Sequence, residues 1–207
     1  MPVTGGKRDV EISQRGQYAK GGVGRRFWDF RDRVALSYVV GPRILDAGCG
    51  EGVTLEKLVA RFPRSHVEGI DVDPENVRIC RDHALPARQG DLYNLPFESG
   101  VMDTCLLLEV IEHMDQPERA LEELARVTRP GGRLIVLYPV DWAYFVARVL
   151  CLRFREAMFD PGHLRQWSFT SLRGSFERTG WRLVARRSLP LAPPFMLSGL
   201  AVGKRED

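Results

Sequence analysis

The stretch ILDAGCGEGVTLEKLVARF, Ile44 to Phe62, restricts the possible folds more than any other part of the chain. A short apolar run ends in an acid, three glycines alternate with other residues, and a helical pattern follows at once. Glycines permit positive φ and let another group approach the main chain with no β-carbon in the way. The helix behind them begins with N–H groups that have no partner inside the helix. The stretch therefore reads as strand, turn and helix, with something bound flat against the turn.

The pattern then repeats. Apolar runs predict strands at Arg43–Asp46, His66–Asp71, Ala87–Gly90, Met102–Leu108 and Arg133–Tyr138. Helical periodicity predicts helices at Arg25–Val40, Val53–Phe62, Pro74–His83 and Gln116–Thr128. Asp73 before Pro74 is a helix start, an acceptor at the cap followed by proline in the first turn. Alternation of this kind gives a parallel sheet covered by helices on both faces. The run CLLLEV, apolar on both parities, fits a strand buried on two sides.

After Pro139 the rhythm changes. Residues 141–168 are aromatic and arginine-rich without clear strands, and read as an inserted helical lid. A helix at Thr170–Thr179 and strands at Trp181–Ser188 and Ser198–Lys204 close the chain, the two strands as an antiparallel pair. Residues 1–24 read as a flexible leader and 25–207 as one α/β domain, and 207 residues suffice to bury its core.

Composition excludes some classes. A net charge of +3 gives no argument for nucleic acid, and the bias of the basic residues toward arginine fits genome composition. Four scattered cysteines without a Cys-x-x-Cys pair suggest free thiols in a reducing compartment, with no zinc site. The first residues lack an apolar signal-peptide core, and LIVLYPVDWAYFVARVLCL is broken by Pro139, Asp141 and Arg148. A cytoplasmic protein is expected.

The turn selects the ligand. Gly48, Gly50 and Gly52 depart from the Gly-x-Gly-x-x-Gly of dinucleotide folds, because Val53 stands where the third glycine should be. No Gly-Lys-Ser/Thr of a P-loop follows. Asp46 and Glu51 flank the turn and would repel a diphosphate, so a cationic ligand with an amino group is expected, held by Asp46 and glycine carbonyls. Asp71, at the end of the second strand, is placed to accept from both ribose hydroxyls, while Asp73 caps the next helix. Asp91 at the end of the third strand would accept from an exocyclic amine of a purine, with Leu92 against the ring.

These motifs, ILDAGCGEG, VEGIDVDPENV, QGDLYNLPFESGVMDTCLLLEVIEHM and RVTRPGGRLIVLYP, resemble those of class I S-adenosylmethionine-dependent methyltransferases. The resemblance runs from Arg43 to Pro139, and GSFERTGWRLV extends it toward the C-terminus. It implies a Rossmann-like seven-stranded sheet, order 3-2-1-4-5-7-6, with the last-numbered strand antiparallel, and S-adenosylmethionine as cofactor. By the same resemblance Asp46, Gly48 and Gly50 bind the methionine moiety, Asp71 the ribose, and Val72 lies beside the adenine. Asp91 and Leu92 hold the adenine edge, and Glu109 lies near the methyl group.

Two histidines are candidate bases: His113, after the fourth strand, and His163, at the end of the lid. For His113 a role in orienting the loop is an equal alternative. The resemblance is closest to the quinone-biosynthesis branch, which implies a small aromatic or lipid-like acceptor methylated at oxygen or carbon. The lid stripe Trp142, Phe145, Val146, Val149 and Leu150 reads as packing, as a pocket wall, or as a surface resting on lipid headgroups. Tyr18 and the arginines around it are candidates to fold over the cofactor. Glu109, Glu112 and His113 also resemble the metal-holding element of RNA 2′-O-methyltransferases, but a dense basic patch is lacking, and neither metal nor nucleic acid is expected. A methyltransferase fold kept only as a binding protein is the remaining alternative, and the intact motifs argue against it.

Overall fold

The computed structural model describes residues 13–140, 165–190 and 196–206. The strands are β1 (Arg43–Ala47), β2 (His66–Asp71), β3 (Ala87–Gln89), β4 (Met102–Leu108), β5 (Thr128–Pro139), β6 (Trp181–Pro190) and β7 (Met196–Arg205). The helices are α1 (Gln14–Ala19), α2 (Gly22–Leu36), α3 (Val53–Arg61), α4 (Pro74–Asp82), α5 (Pro117–Val127) and α6 (Phe169–Arg178). A 3-10 turn, Ile111–His113, follows β4.

The described strands form one sheet of seven in the order 3-2-1-4-5-7-6. β1 to β5 pair in parallel, and β7 runs antiparallel to both β5 and β6. The expected fold class is correct, including the antiparallel closing pair.

Alternate strand residues supply two separate cores, as the period of a pleated strand requires. Ile44, Leu106, Ile135 and Leu137 pack on one face with Ala35 and Leu36 of α2 and Leu55 and Leu58 of α3. Leu45, Cys105, Leu107, Leu134 and Val136 pack on the other with Leu121 and Leu124 of α5 and Leu172 and Phe176 of α6. Both faces are covered, which explains why the central strands are apolar throughout.

Local chemistry sets the element ends. The Asp73 side chain accepts from Glu75 N at 2.9 Å and Pro74 opens α4. Ser168 and Ser171 form a reciprocal capping box at the start of α6, with hydrogen bonds of 2.9 and 3.1 Å. Several bounds differ from expectation, and α2 ends at Leu36 rather than Val40. β5 begins at Thr128 rather than Arg133, because Met102 pairs with Thr128 and the register then shifts to Thr104 with Arg133. Gly131 and Gly132 accommodate this bulge: Gly131 has φ 77°, and a β-carbon on Gly132 would lie 2.9 Å from the carbonyl oxygens of Arg129 and Asp103. Residues 13–24, expected within the leader, form α1 and the first turn of α2. The lid stripe lies outside the described residues.

Candidate functional site

The parallel strands all point their carboxyl ends one way, and the turns there form a continuous surface over β1, β2, β3 and β4. Gly48 and Cys49 donate their N–H groups to Ile70 O of β2, at 2.7 and 3.0 Å. Gly50 donates to Asp71 Oδ2 at 2.7 Å. Gly48 and Gly50 have φ of 76° and 53°. A β-carbon on Gly48 would lie 2.6 Å from Val110 Cγ2, so side chains are excluded there on two grounds.

The two acids after β2 divide their work. Asp73 caps α4, as expected. Asp71 is buried, its Oδ1 accepting from Asp73 N at 2.9 Å and from Asn76 Nδ2 at 3.1 Å. Next to it Val72 is 70% exposed, an unusual position for a branched apolar side chain. Gly90 N donates to Asp71 O at 3.0 Å and Gln89 Nε2 to Val72 O at 3.1 Å, which brings the end of β3 alongside. Asp91 is exposed and accepts from Tyr93 N at 2.9 Å. The Leu92 side chain packs in the core cluster beneath this surface.

At the other end, Asp46 is 3% exposed and its Oδ2 has no hydrogen-bond partner among the described residues. Burial first, then the nearby Asp32 and Asp71 carboxylates, push its carboxyl up to about 7, and Arg31 offsets only part of this. Glu109 follows β4 with φ 56°, which a non-glycine residue adopts at a cost; its N–H donates to Leu137 O at 2.9 Å. Its Oε2 stands 2.7 Å from Arg31 Nη1.

Arg31 is a finding of the structure. It is 6% exposed on α2, its Nε donates to Asp32 Oδ1 at 3.0 Å, and its guanidinium lies 5.3 Å from the Trp28 ring centre. Lys57 of α3 completes the charge network, 2.7 Å from Asp32 and 2.8 Å from Asp29. Asp46, Gly48, Glu109, Arg31, Trp28 and Gln14 share one cavity of about 50 Å³. Helix α1 closes over it: Arg15 donates to Glu51 O at 2.7 Å and its N–H to Glu51 Oε2 at 2.8 Å. Gln14 Oε1 would stand 2.5 Å from a β-carbon on Gly50. Tyr18 stacks on Trp28 at 6.0 Å and donates to Asp29 at 2.6 Å.

The structure thus groups Asp46, Gly48 and Glu109 at one end and Asp71, Val72 and Asp91 at the other, with Gly50 between. His113 is 43% exposed on the 3-10 turn beyond Glu109, its Nε2 4.0 Å from Glu112 Oε1. His163 lies outside the described residues. Among the described residues no three His, Cys, Asp or Glu side chains are grouped to hold a metal ion. Glu109, a candidate ligand in the RNA alternative, faces Arg31 instead. Gln14, Trp28 and Arg31 carry no local signal, since the contacts that single them out join α1 and α2 to the strand tips.

The methyltransferase-domain family matches residues 45–136, from β1 to β5. A 37.1 kDa protein of a transposon from Streptomyces fradiae is 41% identical over 114 residues, 52% of this chain and 33% of that protein. A ubiquinone/menaquinone biosynthesis C-methyltransferase of Syntrophotalea carbinolica is 33% identical over 122 residues, 56% of this chain and 51% of that enzyme. The chain therefore spans a third to a half of the length of these relatives. The crystal structure of a SAM-dependent methyltransferase from Thermotoga maritima, a possible histamine N-methyltransferase, superposes with a TM-score of 0.71 at 20% identity. That superposition covers 93% of this chain and 96% of the other. Residues 45–136 thus match the methyltransferase-domain family, and the seven-stranded sheet around them has the fold of the Thermotoga maritima methyltransferase.

Proposed function

We propose that the protein transfers a methyl group from S-adenosylmethionine to an oxygen or carbon of a small aromatic or lipid-like acceptor. The observation that carries the cofactor half is the buried Asp46 Oδ2, without a hydrogen-bond partner among the described residues, beside a turn that a β-carbon would obstruct. An ionised buried carboxylate needs a counter-charge, and an α-ammonium group supplies one. The residues present therefore fit the cofactor.

Asp46, Gly48 and Gly50 hold the methionine moiety. Asp71 keeps lone pairs free after its three internal bonds and accepts from the ribose hydroxyls. Exposed Val72 offers a face for the adenine, and Asp91 with the Leu92 N–H reads its edge. Glu109, held at positive φ at the mouth of β4, faces the reacting end. The cofactor supplies an activated methyl group on a sulfonium, so the protein's contribution is chiefly alignment of the acceptor and exclusion of water. His113, on the turn after Glu109, and His163 are the residues proposed to remove a proton from an acceptor hydroxyl.

The acceptor class is supported by the C-methyltransferase relative and by the availability of a histidine for oxygen acceptors. No described helix is long and apolar enough to cross a membrane. The test is methyl transfer from labelled cofactor to a panel of quinone precursors and phenols. Labelled product supports the reading, and absence of product across the panel removes this acceptor class.

A further inference from the structure

Resting on the cofactor reading above, we infer that Arg31 is the positioning residue that receives the carboxylate of the cofactor's amino-acid end. That end is zwitterionic. Asp46 answers its ammonium group, but Asp46 and Glu109 both repel its carboxylate. A cation must therefore face the same cavity, and Arg31 alone is cationic among the described residues that line it. Lys57 stands behind, held by Asp29 and Asp32.

The state of the Arg31 guanidinium supports this assignment. Nε is committed to Asp32. Nη1 is buried and pairs with Glu109 Oε2 at 2.7 Å. Glu109 therefore marks where an anion sits on Arg31. A planar guanidinium is suited to a carboxylate, which accepts two parallel N–H bonds. Trp28 against the guanidinium and Asp32 on Nε fix its orientation before any ligand arrives.

The experiment compares two ligands that differ only in that carboxylate: S-adenosylhomocysteine and its decarboxylated analogue, which keeps the ammonium group. Calorimetric titration of the wild type is expected to favour S-adenosylhomocysteine by about tenfold or more, the worth of a charge-assisted pair. Arg31→Met is expected to lose that preference by weakening S-adenosylhomocysteine alone. Because this variant leaves Asp32 and Glu109 without their cation, Arg31→Lys is measured beside it. Lysine retains the charge but not the fork, and is expected to keep only part of the preference. Unchanged binding of the decarboxylated analogue shows that the site is intact. A preference that survives in both variants overturns the inference while leaving the cofactor reading standing. A wild type that binds neither ligand overturns both.

Discussion

Asp71 Oδ2 accepts the Gly50 N–H at 2.7 Å, so the tip of β2 carries the turn that follows β1. The same carboxylate orders the start of α4 through Asp73 N and Asn76. One buried acid thus joins the turn after β1 to the start of α4.

Replacing it should affect both ligand binding and stability. Asp71→Ala is expected to weaken S-adenosylhomocysteine binding by one or more orders of magnitude, since hydrogen bonds to a charged group contribute about 1.5–3 kcal/mol each. The same variant should also melt at lower temperature without ligand, because Gly50, Asp73 and Asn76 lose their acceptor. Calorimetry and thermal unfolding measure the two effects separately. Normal affinity together with normal melting would contradict both assignments.

Asp46 makes a pH-dependent prediction. Burial pushes its carboxyl from the ordinary 3.8 up to about 7. Across that interval the unfolded chain has released the proton while the folded chain still holds it, so stability falls as pH rises and levels off above about 7. Asp46→Asn removes this dependence and should be the more stable protein at pH 8 in the absence of ligand, with an advantage on the order of a few kcal/mol. Ligand binding to the wild type should release a proton near pH 6, because the ammonium group requires the ionised carboxylate. Calorimetry in buffers of different ionisation enthalpy measures that proton; its absence would show that Asp46 does not meet the ligand's charge.

The glycines of the turn should not be equivalent. A β-carbon at Gly48 meets the branched Val110 side chain at 2.6 Å, whereas one at Gly50 meets the longer Gln14 side chain at 2.5 Å. Both positions also carry the left-handed cost of about 1–2 kcal/mol. Gly48→Ala is therefore expected to lose more stability and more cofactor affinity than Gly50→Ala. In Gly50→Ala, adding Gln14→Ala should recover part of the affinity, as titration of the double variant would show.

These features differ in how far the sequence revealed them. The sheet was legible because its signals are local: apolar runs of strand length, Asp73-Pro74 at a helix start, glycines at a turn. The positions of Asp46 and Asp71 among the last residues of β1 and β2, and of Asp91 two residues beyond β3, were equally local. The bulge at Gly131-Gly132 was hidden because Pro130 and two glycines resemble a turn, and only pairing with β4 draws them into β5. Arg31 was hidden for a deeper reason. Its neighbours Asp32 and Trp28 are close in sequence, but Glu109 comes from the end of β4, and no periodicity in α2 anticipates a buried arginine.

For the chemical step, His113→Ala should leave S-adenosylhomocysteine affinity near the wild-type value, since the histidine stands on the 3-10 turn beyond the cofactor residues. With a hydroxyl acceptor, kcat should fall by about a hundredfold or more, the usual contribution of a positioned base. With an acceptor supplied as phenolate at high pH the loss should largely disappear. Steady-state kinetics across pH would reveal equal losses throughout if His113 only orients the loop.

The central claim is that a sulfonium-bearing nucleoside with an amino-acid end lies across the tips of β1, β2 and β3, and titration of the wild-type protein tests it most directly. The account predicts one S-adenosylmethionine or S-adenosylhomocysteine per chain, each displacing the other, with no competition from a nicotinamide dinucleotide or inorganic diphosphate. Saturation by the dinucleotide or the diphosphate, or no binding of either adenosyl compound, would contradict it.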